Sequence, residues 1–198
     1  NDGSTDKSDL IICKFIKKYK KLFKIKYIKY KKNIGKGFAI KKGILNSKKD
    51  WIMICDADMS VNPNQIEKWS KKKYIKYENI AYFGSRNHSQ SKIKTSILRK
   101  FLGLLFNFVI YSLFRIQIKD TQCGFKLFNR IYALNIFKKL TSYRFSFDVE
   151  LVILLKKNNI AIKELPIEWV HKKGSKLNII YDIPKMMIDI IKIKLSQK

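Results

Sequence analysis

The most constraining feature of the sequence is a short apolar run, Trp51–Cys55, that ends abruptly in Asp56-Ala-Asp58. A continuous apolar run of this length is typical of a strand buried on both faces of a largely parallel sheet. Other short runs alternate with segments of helical spacing, which predicts an α/β fold. In such folds functional sites lie at the carboxyl ends of strands, and the two aspartates fall at such an end.

The other predicted elements continue this alternation, and Ser8 is placed to cap the first helix. They are a helix over Leu10–Tyr19, a strand over Phe23–Tyr30, a helix over Phe38–Leu45, a helix from Asn62-Pro63 through Trp69, and a strand over Ile80–Gly84. The loop Asn33-Ile-Gly-Lys-Gly37 resembles a phosphate-cradling loop, but it lacks the Walker spacing, which excludes a P-loop. Because the turn-forming Asn1-Asp-Gly-Ser4 has no strand before it, we expect an N-terminal strand to be missing.

The charge of the chain is strongly basic, with 43 Lys and Arg against 15 Asp and Glu and a net charge of +28. Such a charge suits nucleic acid or an anionic membrane surface. Arginine supplies only five of the basic residues, so we interpret most of the charge as a solvated lysine coat with a secondary attraction to phosphates and anionic lipids. The three cysteines form no C-x-x-C pair, which argues against a disulfide framework and a zinc site.

Two apolar stretches depart from the alternation. Phe101–Phe114 is too short to span a bilayer and lies between Arg99 and Arg115, which is compatible with a core helix or an interfacial one. From Ile179 onward an apolar stripe faces lysines, as in a helix on a membrane surface, although a helix packed on the sheet has the same pattern. The stripe consists of Ile179, Ile183, Met186, Met187, Ile190 and Leu195.

The paired carboxylates of Asp56 and Asp58 are the strongest chemical signal. Two neighbouring carboxylates need a cation to stay ionised together, and Mg²⁺ is usually held by one or two carboxylates and substrate phosphates. The alternative is one capping and one solvent-exposed aspartate. His88 and His171 are far apart in the sequence without metal-ligand spacing, and we interpret both as surface residues.

In their order along the chain, seven segments resemble glycosyltransferase family 2, and within it the dolichyl-phosphate β-glucosyltransferases and their prokaryotic polyprenyl-phosphate counterparts. The segments are Asn1-Asp-Gly-Ser-Thr-Asp, Asn33-Ile-Gly-Lys-Gly-Phe-Ala, Asp56-Ala-Asp-Met-Ser, Gly84-Ser-Arg, Asp120-Thr-Gln-Cys-Gly-Phe-Lys-Leu-Phe, Phe147-Asp-Val-Glu-Leu and Gly174-Ser-Lys-Leu. The resemblance implies a GT-A fold with a mainly parallel central sheet. It divides the chain into a catalytic domain over residues 1–175, with an interfacial helical segment near 91–116, and an amphipathic membrane-surface helix over 176–198.

The resemblance also implies an inverting, metal-dependent transfer of a sugar, glucose by likeness, from a nucleotide-diphosphate donor to polyprenyl phosphate. Donor-binding residues would be Asp2 at the nucleobase, Lys36 and Asp56, and Asp58 with Asp56 would hold Mg²⁺ or Mn²⁺. Asp58, Asp120 and Gln122 would be catalytic, and Arg86, Arg99 and Lys126 would orient the acceptor phosphate. We expect association with an anionic membrane surface at its cytoplasmic face.

Three other functions fit parts of this pattern. A family 2 transferase with a polysaccharide or lipopolysaccharide acceptor would share every motif up to Asp58. A nucleotidyltransferase is also an α/β, metal-dependent enzyme. A basic nucleic-acid-binding module is disfavoured because the sequence lacks RNP, helix-turn-helix and zinc-finger signatures, so we predict no nucleic-acid partner.

Overall fold

The computed structural model describes residues 1–172 and 179–195, without the side chains of residues 98–100 and 179–183. The helices of these residues are α1 (Ser8–Tyr19), α2 (Lys36–Leu45), α3 (Gln65–Lys71), α4 (Ile97–Phe114), α5 (Arg130–Lys139), α6 (Phe147–Lys157) and α7 (Ile179–Leu195). The strands are β1 (Trp51–Cys55), β2 (Ile80–Ser85), β3 (Lys92–Lys94), β4 (Phe125–Asn129), β5 (Ala161–Pro166) and β6 (Glu168–Val170). The predicted Gly174-Ser-Lys-Leu segment lies outside the described residues.

Four strands form the central sheet, in the order β1-β4-β2-β5. β2 pairs in parallel with β5, and both β1 and β2 pair antiparallel with β4. Three strands therefore point the same way and β4 runs in the opposite direction between two of them. The predicted α/β class is confirmed, but the sheet is mixed rather than mainly parallel. β3 and β6 form a separate two-stranded parallel sheet.

The core lies on both faces of the central sheet because successive strand side chains point to opposite sides. On one face Phe83 and Phe128 pack beneath α2, α5 and α6, and on the other Trp69 of α3 packs against Phe125. The two outer strands of this sheet are not fully buried, since Met53 of β1 is 36% exposed and Ala161 and Lys163 of β5 are also exposed. The prediction that β1 is buried on both faces is wrong because it is an edge strand.

The structure confirms α2, β1 and β2 close to their predicted positions. α1 begins with Ser8 in the helix, so Ser8 is not its cap, and the Ser8 N–H donates instead to Oδ1 of Asp6 at 2.9 Å. α3 begins at Gln65, after a turn in which the Asn64 N–H donates to Oδ1 of Asn62.

The predicted strand over Phe23–Tyr30 does not form. Only Tyr30 makes a bridge, to Asp2, and the Tyr30 N–H donates to the Asn1 carbonyl at 2.9 Å. A strand needs a partner along its length to pair its backbone groups, and within the described residues only Asn1 and Asp2 run beside this segment. The alternation of apolar and lysine residues is therefore not sufficient for a ladder here.

α4 has two apolar faces with different surroundings. Ile110 is 1% exposed and packs in the core, with Phe106 partly buried beside it. The opposite face exposes apolar side chains at helical spacing, namely Ile97, Phe101, Leu104, Leu105, Phe108 and Tyr111. The core-helix interpretation is confirmed for the buried face, and the interfacial interpretation stays a prediction for the exposed face. Across the described residues, none of the helices has the length and hydropathy needed to cross a bilayer.

α7 packs on the core through the apolar stripe that the sequence assigned to a membrane surface. Met186, Ile190 and Ile193 are buried, and Ile190 is completely inaccessible. Ser146 donates to Asp189 at 3.1 Å and joins α7 to the start of α6. The expectation of a membrane-facing stripe is therefore wrong for Met186 and Ile190. The side chains of Ile179 and Ile183, also assigned to it, lie outside the described residues.

Lys126 is the most deeply buried charged residue of the central sheet, with 1% of its surface exposed. It shares a face of β4 with Phe128, and its Nζ donates to Asp148 at 2.6 Å and to the Cys123 carbonyl at 2.6 Å. The ammonium group also lies 4.9 Å from the centre of the Phe83 ring. The prediction that Lys126 contacts the acceptor phosphate is therefore wrong, because its donors are engaged inside the core.

Replacing Lys126 should consequently destabilise the fold. In Lys126→Met the Asp148 carboxylate loses its buried partner, which should lower the free energy of unfolding by about 3–5 kcal/mol. Urea unfolding followed by circular dichroism measures this, with Lys163→Met on the exposed face of β5 as the matched control. Equal stability of the two variants would show that Lys126 has no such structural role.

Candidate active site

The reversed direction of β4 brings three chain segments together at one edge of the sheet. The carboxyl ends of β1 and β2 lie there beside the amino end of β4. A cavity of about 730 Å³ opens at this edge. Its wall includes the predicted site residues Lys36, Asp56, Asp58, Arg86 and Gln122, together with Asp148. Five of the nine predicted site residues therefore line one cavity.

Asp56 is held between a lysine and a glycine. Its Oδ1 lies 2.7 Å from Nζ of Lys36, so an ammonium group supplies the cation beside this carboxylate. Burial acts to lower the pKa of Lys36, but the Asp148 and Asp56 carboxylates outweigh it and raise that pKa. A Cβ on Gly124 would overlap the Asp56 carboxylate, which explains a glycine at the start of β4.

Asp58 lies in a turn rather than on an extension of β1. The Met59 N–H donates to the Asp56 carbonyl at 3.2 Å, and Met59 has a positive φ of 55°. Strand pleating therefore does not align the two carboxylates, although both line the cavity. The exposed Asp58 accepts from the Ser60 N–H at 2.8 Å. Among residues 1–172 and 179–195 no three His, Cys, Asp or Glu side chains cluster as a metal site.

Asp2 holds the glycine loop that precedes α2. Its two carboxylate oxygens accept from the Ile34 N–H at 3.0 Å and the Gly35 N–H at 2.7 Å. Gly35 has a φ of 136°, and a Cβ there would overlap the Tyr143 carbonyl. The loop thus packs against the chain before α6 and aims Lys36 at Asp56. Contact between Asp2 and a nucleobase stays a prediction.

Arg86 and Asp120 form the second charged pair of the site. The Arg86 backbone N–H, Nε and Nη2 donate to the Asp120 carboxylate at 2.8–2.9 Å. Burial tends to raise the pKa of Asp120 and to lower that of Arg86, but their mutual attraction dominates, so the pKa of Asp120 is lowered and that of Arg86 raised. Asp120 is 1% exposed, so its carboxylate contacts Arg86 and not the open space of the cavity. The prediction that Asp120 is catalytic is corrected to a positioning role.

The structure describes the side chain of Gln122 but not that of Arg99. Gln122 lines the cavity, in agreement with its prediction as a site residue, and its Nε2 donates weakly to Thr121 at 3.4 Å. Arg99 lies in the first turn of α4, but its side chain is outside the described residues. Its contact with an acceptor phosphate remains a prediction.

The Phe147-Asp-Val-Glu-Leu segment contributes residues that sequence reasoning did not assign to the site. Burial raises the pKa of Asp148, against the opposing effect of Lys126, and the residue borders the cavity. Glu150 accepts from the Thr141 N–H and hydroxyl and from the Ser142 N–H. It fixes the loop on which Gly35 packs. The sequence signal that could have identified these residues is the presence of two acidic side chains, Asp148 and Glu150, inside a short apolar motif.

His88 and His171 were interpreted as unrelated surface residues, but both line the cavity. The His171 ring stacks on Trp169 with 6.0 Å between centroids, and the Arg86 guanidinium lies 5.8 Å from the Trp169 ring. Nδ1 of His88 accepts from the Gln90 N–H at 3.2 Å, which leaves the proton of a neutral imidazole on Nε2. Because the two histidines are far apart in the sequence, their position on the wall of one cavity could not be predicted. This position depends on the pairing of β3 with β6.

Solved structures share this fold. Glucosyl-3-phosphoglycerate synthase from Mycobacterium tuberculosis in complex with phosphoglyceric acid gives a TM-score of 0.63 at 14% identity, over 98% of this chain and 66% of that one. The same enzyme in complex with Mn²⁺, UDP-glucose and glycerol 3-phosphate gives 0.62 at 14% identity, over 98% and 65%. At this identity the likeness concerns the fold alone, and it confirms the predicted GT-A fold.

Curated relatives are closer in sequence. The dolichyl-phosphate beta-glucosyltransferase of Dictyostelium discoideum is 37% identical over 98% of this chain and 61% of its own length. The enzymes of that name from Saccharomyces cerevisiae and Homo sapiens are 34% and 35% identical, over 99% and 98% of this chain and 63% and 62% of theirs. The chain thus spans about three fifths of these relatives. The model of glycosyl transferase family 2 matches residues 1–137, well over half of the chain, which therefore belongs to that family.

Proposed function

We propose that the chain transfers glucose from UDP-glucose to a polyprenyl phosphate of the dolichyl type. The observation that carries this proposal is one cavity whose wall includes two carboxylates and an arginine oriented by Asp120. We call the part of the wall at Asp56 and Asp58 the carboxylate end, and the part at Arg86 and the neighbouring Trp169 the arginine end. The likeness to the dolichyl-phosphate beta-glucosyltransferases supports the choice of sugar and acceptor.

The donor diphosphate would bind at the carboxylate end with Mg²⁺ or Mn²⁺. Asp58 is exposed and Asp56 lines the same wall, and carboxylate oxygens are the donors that these ions prefer. Two protein carboxylates fit an ion whose remaining ligands come from substrate phosphates. The metal would neutralise the negative charge that develops on the departing UDP. Lys36, beside Asp56, adds a fixed positive charge at the same end.

The acceptor phosphate would bind at Arg86. A phosphate monoester has a second pKa near ~6, so the acceptor is mostly dianionic at neutral pH and needs no general base. One of its oxygens forms a bond to the anomeric carbon from the face opposite the leaving group, and the bond from that carbon to the UDP oxygen breaks with inversion. Arg86 keeps the guanidinium directed by Asp120 while part of its side chain, 34% exposed, faces the cavity. Arg99 is a second candidate for this contact.

The polyprenyl chain would follow α4 to a membrane. Leu102 and Phe106 of α4 form part of the cavity wall, and the neighbouring exposed face carries Phe101 and Phe108. This apolar face is suited to insertion at the boundary between headgroups and acyl chains. The net charge of +28 favours an anionic surface, and anionic lipids are enriched in the cytoplasmic leaflet. We therefore infer peripheral association at that face.

Transfer should depend on a divalent metal and on Asp58. With UDP-glucose and a polyprenyl phosphate, Asp58→Asn should reduce turnover by about a hundredfold or more, because several kcal/mol of charge stabilisation are lost. Excess chelator should have a similar effect, and thermal stability should not change because the side chain is exposed. Asp50→Asn, also exposed, is the matched control.

This transfer is measured by supplying UDP-glucose with a radiolabelled sugar and analysing which acceptor carries the label. A polysaccharide and a lipopolysaccharide are offered as competing acceptors. Transfer only to a polysaccharide or lipopolysaccharide would contradict the proposed acceptor. Full turnover of Asp58→Asn, or full turnover in excess chelator, would contradict the metal-dependent donor site.

The exposed face of α4 should determine vesicle binding. The double variant Phe101→Ser with Phe108→Ser removes two side chains that are 62% and 65% exposed, so the fold should be retained. Because a buried Phe contributes about 1.5–3 kcal/mol, vesicle partitioning should fall at least about tenfold. High salt should weaken binding of the unmodified chain only partly.

Flotation with anionic and neutral vesicles measures this partitioning. Ile131→Ser is the control, because Ile131 is an apolar side chain, 75% exposed, on α5. Equal flotation of the control and the double variant would show that α4 is not the membrane-binding element.

A further inference from the structure

Glu164 lies on β5 and holds the backbone of the segment that precedes β4. Its Oε2 accepts from the Lys119 N–H at 2.9 Å and its Oε1 from the Asp120 N–H at 2.9 Å. Two consecutive backbone donors are therefore satisfied by one carboxylate. Hydrogen bonds to a charged acceptor are roughly twice as strong as those between neutral groups.

The carboxylate of Asp120 transmits this anchoring to the cavity. It receives three hydrogen bonds from Arg86 and a fourth from the Gln122 N–H at 3.2 Å. Asp120 is 1% exposed, so its side chain has little freedom once its backbone is fixed. Glu164 fixes the backbone of Asp120, and the position of Asp120 in turn determines the orientation of the Arg86 guanidinium.

The same peptide segment is also fixed from its opposite side. The Lys119 carbonyl accepts from Nδ2 of Asn87 at 2.6 Å and from Nδ2 of Asn107 at 2.5 Å. Asn107 belongs to α4, and Asn87 follows Arg86 in the chain. Residues 119–120 thus join β5, α4 and the end of β2. We call this two-residue segment the anchor segment.

We propose that Glu164 is a positioning residue for the acceptor-phosphate site, acting on Arg86 through the anchor segment and Asp120. The proposal rests on the proposed function in that Arg86 is the phosphate contact. Among the described residues Glu164 is not part of the cavity wall, so it acts without touching a substrate. Its substitution should disturb acceptor binding and leave the carboxylate end of the cavity intact.

Glu164→Gln is the direct test, because the amide keeps only one acceptor oxygen and turns its NH₂ toward a backbone donor. The KM for polyprenyl phosphate should rise roughly tenfold, because a hydrogen bond to a charged group that positions Asp120 is lost, while the KM for UDP-glucose stays within about twofold. Glu164→Asp, with both oxygens but a shorter reach, should show a smaller rise. Glu168→Gln removes a surface pair with Lys68 and is the matched control.

A second readout does not depend on catalysis. In ¹⁵N-labelled chain the Arg86 Nε–H resonance, assigned by its loss in Arg86→Lys, should exchange with solvent slowly because it donates to Asp120 at 2.8 Å. Its exchange should accelerate in Glu164→Gln and not in Glu168→Gln. Unchanged exchange in Glu164→Gln would overturn the proposal, as would equal increases in both KM values. If the unmodified chain transferred no glucose to polyprenyl phosphate, the proposed function would fail, and the exchange measurement would still decide the role of Glu164.

Discussion

The reversed strand β4 is the constraint on which the site depends. Because β4 runs antiparallel between β1 and β2, its amino end meets the carboxyl ends of both neighbours. The segment before β4 therefore supplies Gly124 against Asp56 and Asp120 against Arg86. In a fully parallel sheet these groups would lie at opposite edges. One strand direction thus brings the Asp56 carboxylate and the oriented arginine into a single cavity.

The sequence was sufficient to predict the α/β class and those helices and strands that have a clear pattern of apolar residues within their own few residues. α2, β1 and β2 follow from short apolar runs and helical spacing. The strand β4 was not among the predicted elements, and its direction could not be predicted, because strand pairing is a long-range property that the local sequence of Phe125–Asn129 does not determine. The predicted strand over Phe23–Tyr30 is wrong for a related reason: its alternation is real, but among the described residues only Asn1 and Asp2 run beside it. α7 shows that an amphipathic pattern does not distinguish lipid from a protein core.

The candidate site was predicted best where side chains sit directly at strand ends. Asp56 and Arg86 are of this kind, Asp58 lies in the turn that follows β1, and all three line the cavity. Lys126 was misassigned because its role was taken from the resemblance of its segment to the family, whereas its burial depends on a contact with Asp148 in a distant segment. Glu164, His88 and His171 were missed because their roles depend on contacts between distant segments.

The central claim is that one cavity presents a donor end and a separate acceptor end, the latter defined by Arg86. Arg86→Lys tests it most directly, because lysine keeps the charge but loses the planar fork that Asp120 orients. Steady-state kinetics with UDP-glucose and polyprenyl phosphate should give an acceptor KM raised at least about tenfold and a donor KM that is nearly unchanged. Equal changes in the two KM values, or no change in either, would contradict this division of the cavity.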